Sequence, residues 1–94
     1  MTLNILGQKV TVYLVDPDLI DGDKGEAKHE IGEIWIRNDI HDPDKFNQVL
    51  FHEITHWILY RNGLAEKLDE VLQEAICDTV GFVMSENLDK FYEE

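Results

Sequence analysis

Phe51-His52-Glu53-Ile54-Thr55-His56-Trp57 lies in the middle of the most strongly marked helix of the chain. Asp42 and Pro43 are good start signals, because aspartate caps a helix and proline loses nothing at the first helical position. Asn62-Gly63 supplies the stop. The sequence therefore predicts one helix from Pro43 to about Arg61, with the quoted heptapeptide inside it.

Apolar side chains cover most of the circumference of this helix, which predicts that it is buried at the centre of the domain. They are Phe46, Val49, Leu50, Phe51, Ile54, Trp57 and Ile58. Burial makes His52, Glu53 and His56 informative, because three titratable groups in the interior bring no structural benefit by themselves. We therefore expect these three residues to perform chemistry.

His52, Glu53 and His56 form the pattern H-E-x-x-H. Four helical residues advance about 6 Å and rotate about 40° beyond a full turn, so the two imidazoles can bind one ion at Zn–N distances of about 2.1 Å. The glutamate is rotated about 100° from His52, which places it beside the metal, where it could take a proton from a zinc-bound water. Helices that bind nothing also contain this pattern by chance, so a third ligand is needed.

A second helix is predicted between Leu64 and Ser85, with its start between Ala65 and Asp69. Helical periodicity predicts a core face made of Leu68, Leu72, Ala75, Ile76, Thr79 and Val83. Residues 86–94 are acidic with interleaved apolar side chains. They either extend this helix or fold back on the core, and we expect a frayed terminus, with a tail that docks on a partner as the alternative.

Glu70, Glu74 and Asp78 form a line at four-residue spacing along the edge of that face. Glu70 suits a solvated position, because negative charge is favoured near the start of a helix. Glu74 and Asp78 are predicted to lie deeper, where carboxylates need a partner. A metal ion with its histidines would be such a partner.

The N-terminal third of the chain has the composition of a small sheet. Leu3–Leu6 and Lys9–Val15 are rich in branched residues and predict a β-hairpin joined through Gly7-Gln8. The alternating residues of the second run that we expect on the buried face are Val10, Val12 and Leu14.

Gly32–Asn38 predicts a third strand, with Ile34 and Ile36 facing inward and Trp35 on the opposite face. Because it precedes the long helix directly, two roles remain open for this strand. It is either an exposed edge that pairs with an extended peptide across the metal, or it only completes the sheet.

Residues 16–30 are polar and turn-rich, with breaks at Pro17, Gly22 and Gly25, and they predict a mobile acidic loop. Their aspartates invite comparison with a calcium-binding loop. The spacing is one residue off the EF-hand pattern and no helix precedes it, so a solvated loop is the default interpretation.

The chain has 94 residues, 44% of them hydrophobic, which predicts a single small domain over residues 1–94 with one modest core. A formal charge of −12 without any Lys/Arg cluster argues against direct binding of nucleic acid. No segment approaches the roughly 20 apolar residues of a membrane span, and the N-terminus lacks the basic region of a secretion signal. We therefore expect a soluble, cytoplasmic protein with no membrane partner.

Cys77 is the single cysteine of the chain, which rules out an internal disulfide and suits a reducing cytosol. We expect its thiol to be a small, buried core side chain.

The segment His52-Glu53-Ile54-Thr55-His56, followed by Gln73-Glu74-Ala75-Ile76-Cys77-Asp78, resembles the gluzincin metallopeptidases, whose second helix carries a similar E-A-x-x-D segment. The short chain and the run Val49–Leu59 are more similar to the ImmA/IrrE-related and phage-encoded minimal metallopeptidases. The resemblance covers Gly32 to about Gly81, roughly half of the chain.

This resemblance implies that His52, His56 and Glu74 bind zinc, with water in the open fourth position. It implies that Glu53 is the general base, and that Asp78 accepts a hydrogen bond from a ligand imidazole and so orients it. Larger relatives have a further subdomain whose His or Tyr stabilises the oxyanion, and we expect no counterpart of it in this chain. Candidate donors, each better explained by an ordinary surface or core role, are His29, His41, Tyr60 and Tyr13.

The sequence therefore predicts an α+β, zincin-like minimal domain in which a small N-terminal sheet packs on two helices with zinc between them. The leading function is hydrolysis of peptide bonds in a restricted peptide or protein substrate. One alternative is a non-catalytic binding protein that retains zinc as a structural staple, and a weaker one is a helical interaction domain without metal. The sequence predicts no oligomeric state.

Overall fold

A four-stranded mixed sheet and two helices make up the protein in a computed structural model, which describes residues 1–92. The α+β class is therefore confirmed. The strands are β1 (Thr2–Ile5), β2 (Gln8–Val15), β3 (Gly25–Lys28) and β4 (Glu33–Arg37), and the helices are α1 (Pro43–Arg61) and α2 (Glu70–Asn87). Short 3-10 turns occupy Pro17–Ile20, Leu64–Glu66 and Leu88–Tyr92.

The strands lie in the order β1-β2-β4-β3. β1 and β2 form the predicted antiparallel hairpin, in which Leu3 lies opposite Val10. β2 and β4 are parallel, and β4 pairs antiparallel with β3. The strand predicted over residues 32–38 is therefore internal, so its proposed role as an exposed edge is wrong. β3 is the edge strand at that end of the sheet.

The core lies between one face of the sheet and α1. Its buried members are Ile5, Val10, Val12, Ile34, Ile36, Val49, Leu50 and Trp57. Ile34 and Ile36 face inward as predicted, and each large side chain buried in this way contributes about 1.5–3 kcal/mol through the hydrophobic effect. Leu14 is an exception, because its side chain is exposed although the alternation of β2 predicts burial.

β3 corrects the prediction of a mobile loop over residues 16–30. The strand consists of Gly25, Glu26, Ala27 and Lys28, none of which is β-branched or aromatic, so its composition carries no strand signal. Pairing with β4 makes it a strand instead. Gly25 also lets β3 lie close to α1, since a Cβ there would be 2.8 Å from Cγ1 of Val49.

α1 begins and ends where the sequence predicts. The side chain of Asp42 accepts a hydrogen bond of 2.9 Å from the backbone N–H of Asp44 and caps the helix. α2 begins later than the earliest predicted position, at Glu70, because the carboxylate of Asp69 caps it by accepting from the N–H of Leu72 at 2.8 Å. Within residues 1–92, no helix combines the length and apolar composition needed to cross a membrane.

The predicted core face of α2 is wrong at four of its six residues, which are exposed, whereas Leu68 and Ile76 are half-buried. Leu72 and Val83 are 45% and 49% exposed, whereas Cys77 and Gly81 are buried. These small residues, four apart, let α2 approach the backbone of α1: a Cβ on Gly81 would lie 2.5 Å from the carbonyl oxygen of Gln48. α2 therefore packs on α1 through its small residues, which bring the two backbones close together, and leaves the bulkier face with Leu72 and Val83 exposed. Cys77 has the buried position predicted for it.

Candidate metal centre

Two histidines of α1 and one carboxylate of α2 converge at the contact between these helices. Nε2 of His52 lies 3.4 Å from Oε2 of Glu74, and Nε2 of His56 lies 2.9 Å from Oε1 of the same carboxylate. One ligand atom from each residue lies within 4.8 Å of the other two. Among the described residues 1–92, this is the only group of three or more His, Cys, Asp or Glu side chains with such a spacing.

The three side chains are close enough to move onto one tetrahedral metal ion, because their ligand atoms lie within 4.8 Å of one another. At metal–ligand distances of about 2.0–2.1 Å, neighbouring ligand atoms of a tetrahedral zinc site are about 3.3–3.4 Å apart. Nε2 of His52 lies at this separation from Oε2 of Glu74, whereas Nε2 of His56 lies about half an ångström closer to the other oxygen, Oε1. The carboxylate must therefore turn to present one oxygen to an ion shared with both imidazoles. The side chain of Glu74 is 49% exposed and free to make that adjustment. Two imidazole nitrogens and one carboxylate are donors that suit zinc and similar divalent ions.

Asp78 contacts the far side of the His52 ring. Its Oδ1 lies 2.8 Å from Nδ1 of His52, one helical turn beyond Glu74. A carboxylate at this distance favours the tautomer that carries the proton on Nδ1, which leaves the lone pair of Nε2 facing the convergence point. The structure thus places Asp78 where the resemblance expects it. The side chains of Asp78 and Glu74 are 72% and 49% exposed, however, so neither carboxylate lies deep in the helix contact as the sequence predicts.

Glu53 lies next to this group but is buried from solvent, with 5% of its surface exposed. Burial is the main cause that raises the pKa of its carboxyl group to about 8, and the charges of Glu74, Glu26 and Asp23 add to the shift. The backbone of β3 provides part of the cover, because a Cβ on Gly25 would lie 3.2 Å from Cγ of Glu53. The carboxyl group is therefore protonated at neutral pH without a nearby cation, and a divalent ion would lower its pKa.

A cleft of about 590 Å³ gives access to the five residues described above. Its walls come from the start of β3 and from both helices, and it carries much more negative than positive charge. The ionisable side chains along it are Asp23, Glu26, Glu53, Glu74, Asp78, Lys24, His52 and His56. We refer to it below as the metal cleft.

None of the four candidate oxyanion donors lines the metal cleft. His29 stacks on Tyr60 with ring centroids 4.2 Å apart and meets Trp57 edge-on at 4.6 Å. Burial, and then the charge of His56, lower the pKa of His29. Tyr13 is exposed, and His41 lines a different cavity. The residue that stabilises the transition state therefore stays unassigned.

The aspartates of residues 16–30 do not gather into a cation site. Asp16 accepts a hydrogen bond of 3.0 Å from the N–H of Asp18 and caps the first 3-10 turn. Asp23 faces the metal cleft instead. The acidic segment thus contributes to the metal centre electrostatically, by raising the pKa of Glu53.

Gly25 and Gly81 are the positioning residues that the sequence reasoning missed. Each permits a close backbone approach to α1, one from the sheet and one from α2. The available signal for Gly81 was its four-residue spacing from Cys77, because two small residues in one helical row mark a contact between closely packed helices. Gly25 gave no comparable signal, because it lies in a turn-rich segment where a glycine is expected for the turns themselves.

Scans against protein-family models, curated proteins and solved structures find no match to this chain. The resemblance to gluzincins stays an expectation that depends on the two helical motifs of the sequence.

Proposed function

We propose that the protein is a zinc-dependent peptidase. The observation that carries this proposal is the convergence of His52, His56 and Glu74 beside a buried Glu53 in an open cleft. A purely structural metal site is closed by four protein ligands. Here three ligands converge and a carboxyl group with a strongly raised pKa adjoins them, which is the arrangement expected of a hydrolytic centre.

Each site residue has a role that its position supports. A zinc ion bound by His52, His56 and Glu74 supplies Lewis acidity, which polarises a carbonyl group and lowers the pKa of water. Glu53 takes a proton from the attacking water at its carboxylate and delivers it to the leaving amine nitrogen. Asp78 holds the His52 ring in the tautomer that binds the metal.

The free edge of β3 favours a peptide as the substrate. β3 ends the sheet on the side of the metal cleft, and Gly25 and Glu26 line that cleft. The unpaired backbone groups of an edge strand can bind an extended peptide by adding it as another strand. This brings a backbone carbonyl past Glu53 without requiring any particular side chain. We further place the protein in a reducing cytosol, because Cys77 is a buried free thiol.

The rival function is a non-catalytic binding protein that uses the metal as a staple between α1 and α2. One observation favours it: none of the four oxyanion donors suggested by the sequence lines the metal cleft. A peptidase would then need another donor to stabilise the transition state, and a staple needs none.

The decisive experiment incubates the zinc-loaded protein with a random peptide library and identifies cleaved bonds by mass spectrometry. We expect cleavage by the wild type and a loss of about 100-fold or more in Glu53→Gln, since general bases contribute about 10²–10⁴-fold. The variant must still bind one zinc per chain and remain folded. Unchanged cleavage by Glu53→Gln contradicts the peptidase proposal, and a zinc-loaded wild type that cleaves nothing favours the staple.

A second comparison tests the ligand assignment. Glu74→Ala should weaken zinc binding far more than Glu70→Ala, measured by competition with a chromogenic chelator. Glu70 is the matched control, because it lies one turn earlier on the same helix and outside the metal cleft. Equal losses in the two variants contradict the role of Glu74.

A further inference from the structure

A second cavity, of about 420 Å³, adjoins the metal cleft. The two share Lys24, Gln48 and Val49 in their walls. Gln48 lies one helical turn before His52 on α1, and Lys45 lies three residues before Gln48. The second cavity therefore covers the first turns of α1, whereas the metal cleft covers the following ones. We call it the Lys24–Lys45 pocket.

The Lys24–Lys45 pocket has the opposite electrostatic character to the metal cleft. Three of the eight Lys and Arg residues of the chain line it, namely Lys24, Arg37 and Lys45. Both of its carboxylates already have partners. Asp39 binds the Arg37 guanidinium at 2.6 and 2.8 Å, and Asp42 accepts from a backbone N–H as the cap of α1.

Lys24 and Lys45 are the available cations of this pocket. Within residues 1–92, neither ammonium group forms an ion pair of 4.0 Å or less. The N-terminus of α1 adds the partial positive charge of a helix dipole on the same side. The chain has a net charge of −12, so most of its surface repels anions. A cavity with two unpaired cations attracts an anionic group instead and lowers the free energy of its binding.

The path of β3 determines which end of a bound peptide reaches this pocket. Gly25, at the start of the strand, lies against Val49 and Glu53, whereas His29, just after its end, lies against Trp57 and Tyr60. β3 therefore runs in the same direction as α1. An extended peptide that pairs antiparallel with β3 points its C-terminal half back towards Lys24.

The distance from the metal centre to the pocket matches a few residues of such a peptide. Lys45 precedes His52 by seven helical residues, which is a rise of about 10 Å. An extended chain advances about 3.3 Å per residue, so the second or third residue after the scissile bond reaches the pocket.

We propose that the Lys24–Lys45 pocket is a subsite for a carboxylate group on the C-terminal side of the scissile bond. Either the free C-terminus of a peptide or an aspartate or glutamate side chain supplies this group. The inference rests on the proposed peptidase function, and it defines the substrate class as peptides with a negative charge two or three residues after the cleaved bond.

The test uses three peptide hydroxamates that bind zinc through the hydroxamate and extend only in the C-terminal direction. The first is a succinyl hydroxamate of Leu-Ala with a free C-terminal carboxylate, the second is its C-terminal amide, and the third is the amide of Leu-Asp. Calorimetry gives the Kd of each probe for the zinc-loaded protein. We expect one or both carboxylate probes to bind about 2–5-fold more tightly than the uncharged amide, the range expected for an exposed ion pair.

The variant Lys24→Gln/Lys45→Gln should remove that preference without weakening the amide probe. Lys9→Gln/Lys67→Gln is the matched control, because it removes the same charge from exposed residues that line neither cavity. The control should retain the preference, and added salt should reduce it.

The outcomes separate this inference from the function on which it rests. If all three probes bind with equal Kd, the subsite is wrong while the metal centre stands. If the carboxylate preference survives in Lys24→Gln/Lys45→Gln, the subsite is also wrong. If no hydroxamate binds the zinc-loaded protein, the peptidase proposal and the subsite fail together. Tighter binding of the first probe alone identifies the terminal carboxylate as the group that the pocket binds. Tighter binding of the third probe alone identifies the acidic side chain.

Discussion

Glu53 is the residue whose environment differs most from that of a free side chain. It is almost fully buried, and three further carboxylates raise its pKa beyond the effect of burial. Such a group is costly to ionise in the metal-free protein, and a cation beside it removes that cost. Protonation of Glu53 and binding of a cation by the neighbouring His52, His56 and Glu74 would therefore be coupled through their charges.

Glu53→Gln should stabilise the metal-free protein, and only above about pH 5. The unfolded chain ionises this carboxyl group above its ordinary pKa of 4.5, whereas the folded protein keeps the proton up to a pKa of about 8. The free energy of unfolding of the wild type therefore falls as pH rises from 4.5 to 8. Glutamine does not titrate, so we expect a gain of up to about 3 kcal/mol at pH 7 and none at pH 4.

Urea denaturation in the presence of a chelator at pH 4, 6 and 8 measures this difference. Glu70→Gln is the control, because Glu70 is exposed in the first turn of α2. If wild type and Glu53→Gln follow the same pH dependence, Glu53 does not have a raised pKa in the folded protein.

Asp78→Asn should lower zinc affinity by about 10–100-fold, the usual effect of losing a carboxylate that orients a ligand histidine. Asparagine retains the shape of the side chain but not the charge that favours a proton on Nδ1 of His52. Competition with a chromogenic chelator measures the affinity. Because Asp78 is largely exposed, the melting temperature of the metal-free protein should change by only a few degrees. Unaltered zinc affinity would mean that Asp78 does not act on His52.

At the scale of elements, the contact between α1 and α2 assembles the metal centre. Cys77 and Gly81 lie on the line of contact, and Glu74 and Asp78 lie beside it on α2. A carboxylate reaches the histidines only because the two backbones come very close at Gly81. Gly81 therefore affects the site indirectly, because it sets the distance between α1 and α2.

Gly81→Ala should destabilise the protein and weaken zinc binding together. The new Cβ would lie 2.5 Å from the carbonyl oxygen of Gln48 and 3.3 Å from the backbone nitrogen of His52, so α2 must move away. Helix propensity alone would stabilise the variant, because alanine is favoured over glycine in a helix by about 1 kcal/mol. A net loss of stability must therefore come from the lost contact between the helices. We expect a loss of about 1–3 kcal/mol, typical of overpacking.

Thermal denaturation of the metal-free protein and a zinc titration measure the two effects. Thr79→Ala is the matched control, because Thr79 is exposed on the same helix and the change also favours helix formation. A Gly81→Ala variant as stable as Thr79→Ala, with unchanged zinc affinity, would contradict this account of the helix contact.

At the scale of the whole molecule, a small core carries a large negative charge. The net charge is −12, and five carboxylates line the metal cleft. Self-repulsion of this kind opposes the compact state, and a core of this size has limited free energy to offset it. A divalent cation bound between α1 and α2 relieves the repulsion where it is strongest and also joins the two helices.

Removal of the metal should therefore lower the melting temperature substantially. Zinc at about a thousand times its Kd stabilises the folded state by about 4 kcal/mol, and each kcal/mol shifts a domain of this size by about 4–8 °C. We expect a chelator to lower the melting temperature by at least about 10 °C in differential scanning calorimetry. His52→Ala should lose this response, whereas His41→Ala should retain it, because His41 does not line the metal cleft. An identical melting temperature with zinc and with chelator would show that no metal binds the folded state.

Local signals in the sequence determined the limits of α1, the hairpin of β1 and β2 and the inward face of β4, and they singled out His52, His56 and Glu74, which lie together in the structure. Asp42 caps α1 and Asn62-Gly63 ends it through groups that lie within a few residues of each other in the chain. The spacing of His52 and His56 likewise follows from the helical repeat. These features depend on backbone propensity and periodicity, which can be read directly from residues that are close together in the sequence.

Only the tertiary structure decided the strand β3, the buried face of α2 and the pocket formed by Lys24 and Lys45. β3 has no strand propensity and forms because β4 pairs with it. α2 turns its small residues inward because Gly81 permits a shorter distance between α1 and α2 than Leu72 or Val83 would. Both outcomes depend on how closely backbones distant in the chain can approach. That distance is set by packing in three dimensions, and no local pattern of residues encodes it.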